Sequence, residues 1–300
     1  MSLFSGRGKR GFGKIEKLDA NEVKTENAGV KKEEAADNGN KDKSAAVKPA
    51  VSKPKVEEAD LLFDKTYTCP VCDQDFKAKT IRTGKIKLLS QDTDLRPKYQ
   101  NVDSLKYDAL ACPICGYAAL SRFFKFVMPS QVKFITQKIS NDFRGLPQTG
   151  SSYTYDDAIL RYELAIKNAE VKQAKASEKA YTCLKTAWIY RGKAESLPED
   201  TPDYDKVVKE LNEKEQEYIE VAYAGFDEAY MKEDFPLCGM DEPTFSLLVA
   251  DLARRVGKFE ESSRWISKVL TSRMANDRTK EKARDIKALI DEEKKSQELI

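Results

Sequence analysis

Two copies of one short phrase carry the most legible chemistry in this chain: Cys69-Pro70-Val71-Cys72 and Cys112-Pro113-Ile114-Cys115. A Cys-x-x-Cys turn lets two sulfurs converge while backbone amides hydrogen-bond to them, and two such knuckles supply the tetrahedral four-thiolate set that structural zinc prefers. Cys69, Cys72, Cys112 and Cys115 are therefore the expected metal ligands. Zn2+ is the expected ion, and iron in a rubredoxin-like site is the less favoured one. A site closed by four cysteines leaves no vacant position for water, so the expected role of the ion is folding and not hydrolysis. Residues 73–111 separate the pairs, an interval longer than the loop of a minimal zinc ribbon, with room for two or three strands that bring the knuckles together.

Other uses of paired cysteines fit less well. A disulfide framework needs an oxidising compartment, and Met1-Ser2-Leu3-Phe4-Ser5-Gly6-Arg7 lacks the long apolar run of a secretory signal. A cytoplasmic location with no transmembrane segment is the expectation. A thioredoxin-like redox role suits one isolated Cys-x-x-Cys and leaves the second pair unexplained. Cys183 and Cys238 stand alone and read as a buried thiol and a loop thiol.

The chain contains no histidine. Ser-His-Asp and Cys-His nucleophilic systems and His-ligated catalytic zinc are thereby excluded from this chain alone. Carboxylate or lysine catalysis remains, for example through Asp92, Asp94 and a lysine, but Asp, Glu and Lys on amphipathic helices more simply form solvated faces. The expectation is a protein that is not an enzyme. Asp92 and Asp94 also resemble a cation-binding pair, yet no downstream Gly and Glu complete a calcium loop.

Those residues must be positioned by the surrounding elements. With 300 residues, 34% of them charged, and a net charge of +2, the chain suggests two domains plus a less ordered part. Residues 21–58 hold no aromatic side chain and mix Lys, Glu, Ala and Pro, which predicts a disordered linker. Ahead of it, Leu3 to Ile15 is basic and glycine-rich, suited to docking through Leu3, Phe4, Phe12 and Ile15 or, less favoured, to phosphate contact. Residues 1–60 are thus expected to be tail and linker, 61–128 the metal module, and 129–300 a helical domain. Within the module, Lys77 to Leu89 alternates well enough for a hairpin or two short strands around Gly84. Arg82, Lys85 and Lys87 suit phosphate contact, but more simply they would offset the negative charge that four thiolates leave around Zn2+.

After Met128 the apolar spacing becomes helical. Pro129-Ser130 reads as a helix start. Ala158, Tyr162, Ala165, Ile166 and Ala169 define one stripe, and Ala180, Leu184, Ala187, Trp188 and Arg191 the next. Leu211, Tyr218, Ala222, Phe226 and Ala229 mark a long helix over residues 204–232, and Pro243 suits the first turn of another. Leu248, Ala250 and Ala253, leading through Gly257 to Phe259, Ser262, Ile266, Val269 and Leu270, resemble a tetratricopeptide repeat, with small Ala250 and Ser262 where two helices would cross. A generic helical bundle is the alternative.

Taken together, several phrases resemble the bacterial domain-of-unknown-function family numbered 2225. The likeness runs over most of residues 61–290. It rests on Cys69-Pro70-Val71-Cys72 with Phe76, Arg82-Thr83-Gly84-Lys85, Asp92-Thr93-Asp94 with Tyr99, Tyr107-Asp108, Cys112 to Ala119, and Phe235-Pro236-Leu237-Cys238-Gly239-Met240-Asp241-Glu242. The resemblance implies a paired-knuckle metal module joined to a tetratricopeptide-like helical domain, and supplies no activity, substrate or catalytic residue. The expected fold class is α+β: a small zinc-ribbon-like β module, then an all-α tetratricopeptide-like domain, with a disordered N-terminal tail. The expected function is a zinc-binding adaptor or scaffold whose helices bind a protein or peptide. The alternative is a nucleic-acid-binding protein using the zinc module and the basic N-terminal segment.

Overall fold

The computed structural model describes residues 56–298. The basic glycine-rich segment and nearly all of the linker expected at residues 1–60 lie outside the described residues. The first element among the described residues begins just ahead of residue 61. Glu58–Leu61 forms a 3-10 turn, and the Glu58 carboxylate accepts from Lys106 Nζ and Tyr107 Oη, both at 2.8 Å, so the last part of the expected linker is tied to the domain.

Among the described residues, six strands make three separate antiparallel pairs. They are β1 (Leu62–Thr68) with β2 (Asp75–Ile81), β3 (Leu88–Gln91) with β4 (Pro97–Tyr99), and β5 (Ala109–Ala111) with β6 (Ala118–Leu120). The first and third pairs are the arms of the two knuckles: Thr68 faces Asp75 across Cys69–Cys72, and Ala111 faces Ala118 across Cys112–Cys115. Of the two arrangements expected around Gly84, the two short strands form, as β2 and β3 on either side of it, and the hairpin does not. Closing the first knuckle sends β2 back along β1, which leaves Thr83–Lys85 as a 3-10 turn and β3 to pair with β4.

The helices follow the apolar stripes closely. They are α1 (Pro129–Ile135), running into a π turn at Thr136–Ser140, then α2 (Tyr155–Val171), α3 (Ala176–Ser196), α4 (Tyr204–Lys232), α5 (Glu242–Arg255), α6 (Phe259–Thr271) and α7 (Asp277–Glu298). Local chemistry sets their starts. Thr154 and Asp157 exchange capping hydrogen bonds at the head of α2, and Asp241 accepts from the Thr244 N–H at the head of α5, where Pro243 costs no helical bond. α5 stops two residues before Gly257, whose φ of +75° is the left-handed conformation that glycine adopts without penalty.

Small residues let the helices approach. A Cβ placed on Gly225 of α4 would lie 2.9 Å from the Ala180 Cβ of α3. Between α5 and α6 the expected crossing is observed: Ser262 and Ala250 are fully buried, and the Ser262 hydroxyl donates to the Ala250 carbonyl at 2.6 Å. α7 closes this end with Ala283, Ile286 and Ile290 packed near Leu247 and Ile266.

The described residues form one compact unit, whose interior draws on strands and helices together. One cluster joins Leu105, Ala109 and Leu120 of the strand region to Tyr162, Leu184, Phe226 and Leu248 of the helices. A second places the knuckle cysteines with Phe76, Tyr117 and Phe124 beside Ile135 and Ile139.

Candidate metal centre

The two knuckles have the same backbone. In the first, the Cys69 N–H donates to the Gln74 carbonyl at 3.0 Å and the Asp73 N–H to the Cys69 carbonyl at 2.9 Å. In the second, the Cys112 N–H donates to the Tyr117 carbonyl at 2.8 Å and the Gly116 N–H to the Cys112 carbonyl at 3.1 Å. The residue after each second cysteine is left-handed, Asp73 at φ 54° and Gly116 at φ 72°. Glycine is required at the second position for another reason: a Cβ there would fall 2.6 Å from the Phe143 ring.

These turns bring all four sulfurs within 4.8 Å of one another. Across the knuckles, Cys69 Sγ lies 3.6 Å from Cys115 Sγ, and Cys72 Sγ lies 3.8 Å from Cys112 Sγ. A disulfide would need about 2.0 Å. A tetrahedron with Zn–S bonds of about 2.3 Å has edges of about 3.8 Å, so the four sulfurs fit a metal ion placed between them. Hydrogen bonds from Cys115 and then Cys69 hold the Cys112 thiol far below its usual range, while the bond to Cys112 pushes the Cys69 and Cys115 thiols up. Sulfurs this close share protons unevenly, and ionising all four requires a cation among them.

Helices support the centre from behind. Asn168 of α2 is fully buried, and its Nδ2 donates to the Gly116 carbonyl at 2.9 Å. Tyr117 donates its hydroxyl to the Phe124 carbonyl at 3.0 Å, and the Phe124 ring lies 5.8 Å from that of Phe76. The family model described as "Uncharacterized protein conserved in bacteria (DUF2225)" matches residues 62–290. The chain belongs to that family. No curated protein and no solved structure matches it.

The other residues singled out in this DUF2225 chain serve different ends. Arg82 Nε donates to the Leu62 carbonyl at 3.0 Å, and its guanidinium lies over the Phe63 ring, so its contacts are with β1. Asp92 and Asp94 enter a network of ion pairs. Asp94 is fully buried and accepts from Trp188 Nε1 at 3.0 Å and from Arg191 at 2.6 and 3.2 Å, with Arg255 at 3.7 Å. Burial alone would raise its carboxyl, but Arg191 and then Arg255 outweigh it and hold the group below the usual range. Asp92 pairs with Arg191 at 3.1 Å and Lys98 at 3.2 Å. The turn that carries this pair of aspartates is a clamp that fastens the β3–β4 hairpin to α3 and α5.

Two members of that clamp escaped the sequence reading. Asp251, also fully buried, accepts from Arg254 at 2.8 Å, Arg255 at 2.9 Å and Thr93 at 2.8 Å. Its signal was present: a carboxylate inside the apolar run Leu247 to Ala253, with arginines three and four residues on. Gly192, in the interior of α3, is the second. A Cβ there would lie 2.8 Å from both Asp103 Oδ2 and Tyr155 Cε1, so glycine admits these side chains to the helix surface. Cys183 and Cys238 are both buried, and the Cys238 thiol donates to the Ser177 carbonyl at 3.2 Å.

Proposed function

We propose that the protein is a non-enzymatic, cytoplasmic adaptor in which Cys69, Cys72, Cys112 and Cys115 hold one structural Zn2+ and the helical layer binds a protein or peptide. The observation that carries this reading is the shared interior: Cys69, Cys112 and Cys115 belong to the same buried cluster as Ile135 and Ile139, with Cys72 packed against it, so the ion would stiffen the platform on which the helices are built. Bound zinc would supply charge neutralisation and a fixed tetrahedron, with every ligand position taken by sulfur. That closure and the absence of histidine from the sequence favour a role without catalysis.

The helical part supports a tetratricopeptide-like stack through the α5–α6 crossing at Ala250 and Ser262 and the left-handed Gly257 between them. A groove of about 320 Å³ between α4 and α6 is lined by Asp227, Tyr230, Glu261, Arg264, Trp265 and Lys268. A lining of two aromatic and four charged side chains suits peptide contact. No helix among the described residues is long and apolar enough to cross a membrane. Residues 56–300 carry more carboxylates than cations, which favours a protein partner over nucleic acid for this part of the chain.

Affinity purification of the tagged protein from its native cells, with nuclease and at low and high salt, tests the reading. A discrete protein partner that survives both treatments, and is lost when the α4–α6 groove is altered by Trp265→Ala, is the expected result. Recovery dominated by nuclease-sensitive, salt-labile material would transfer the function to nucleic-acid binding.

A further inference from the structure

Five of the six cysteines are buried and one is not. Cys69 and Cys112 are fully enclosed, Cys115 is 6% exposed, and Cys72 alone is half-buried at the tip of the first knuckle. Across the centre, Cys72 Sγ lies 3.8 Å from Cys112 Sγ, while Cys69 and Cys115 form the enclosed pair at 3.6 Å. We propose that Cys72 is a modification site, the sulfur through which peroxides and soft electrophiles reach the centre, and that its oxidation links it to Cys112 and releases the ion. This inference rests on the metal reading above and adds a direction of attack and a product.

The chemistry follows from exposure and spacing. A metal-bound thiolate keeps a lone pair, and the accessible one meets the reagent first. Cys72 sulfur attacks one oxygen of hydrogen peroxide; the O–O bond breaks, and the departing hydroxide takes a proton to become water. Cys72 is then a sulfenic acid. The Cys112 thiolate attacks that sulfur, the S–O bond breaks, and a second hydroxide leaves and takes a second proton. Two thiolates have lost two electrons in total, one peroxide has become two waters, and a disulfide joins the knuckles. Cys69 and Cys115 remain, a two-sulfur set that is too small to hold the ion. Cys183 and Cys238 are internal controls, since burial pushes each thiol up to about 12 and removes it from reach.

The test uses the full chain as purified, with its metal content measured first. One aliquot receives brief N-ethylmaleimide treatment and another one equivalent of hydrogen peroxide. Released metal is read with a chelating dye, and labelled and disulfide-linked peptides are mapped by mass spectrometry without reduction. The expected result is labelling of Cys72 at least about tenfold faster than of the other five cysteines. A Cys72–Cys112 linkage should appear in step with released ion. A metal-loaded chain that is labelled first elsewhere, forms a linkage that excludes Cys72, or keeps its ion and all its thiols under peroxide overturns this inference alone. A chain without stoichiometric metal overturns the metal reading, and this inference with it.

Discussion

Two interior clusters fasten the strands to the helices, and they are built on opposite electrostatic plans. The knuckle centre gathers four groups that become like charges when they ionise, within 4.8 Å of one another. The clamp around Asp94 and Asp251 alternates carboxylates with guanidiniums, so Arg191, Arg254 and Arg255 neutralise it from within the chain. One cluster is neutralised by its own chain, and the other sets four sulfurs at the spacing of a metal site. The difference teaches that burial of charge does not by itself mark a ligand site; the sign pattern among the buried groups does.

The comparison can be broken from either side. The largest expected effect is Cys112→Ser, which should abolish stoichiometric metal and unfold the paired knuckles, because structural zinc contributes roughly 10–16 kcal/mol at sites of this kind. Elemental analysis and near-ultraviolet circular dichroism read both losses. Asp94→Asn should leave metal stoichiometry intact but remove the buried carboxylate between Arg191 and Arg255, which keep Asp92, Glu215 and Asp251, a loss of about 3 kcal/mol in urea unfolding. Gly192→Ala should cost about 1–3 kcal/mol by overpacking against Asp103 and Tyr155, again with metal retained. Ser262→Ala, which removes only the hydrogen bond to the Ala250 carbonyl, should cost about 1 kcal/mol.

Acid separates the two clusters without mutation. The Asp94 carboxyl is held low, so its contribution is fully present above the unfolded value of about 3.9 and is lost as pH falls through the lower folded value. Thiolate ligands compete with protons for sulfurs whose unperturbed pKa is about 8.5, so the metal should leave at a higher pH than the one at which the clamp opens. A chelating dye and far-ultraviolet circular dichroism followed through one acid titration should show two steps, metal release first. Coincident steps would mean that the clusters are not independent.

Much of this was legible from local pattern. The knuckles are four-residue phrases whose geometry is nearly self-contained, and the Leu211 to Ala229 stripe marks a helix that runs over Tyr204–Lys232 as expected. Pairing between strands was less legible, because the alternation through Lys77 to Leu89 fits either neighbour and only closure of the first knuckle selects β1 for β2. The Asp94 clamp was hidden for a related reason. Its partners at Trp188, Arg191 and Arg255 lie far along the chain, and a short acidic phrase looks the same whether it awaits a cation or a distant arginine.

The most direct test of the central claim is elemental analysis of the protein purified without added metal, followed by chelation while hydrogen exchange is monitored over residues 61–140. The account predicts one zinc per chain, and, on its removal, loss of protection at both knuckles together with Ile135 and Ile139, while α5 and α6 stay protected. A metal-free chain with the same knuckle protection would contradict it.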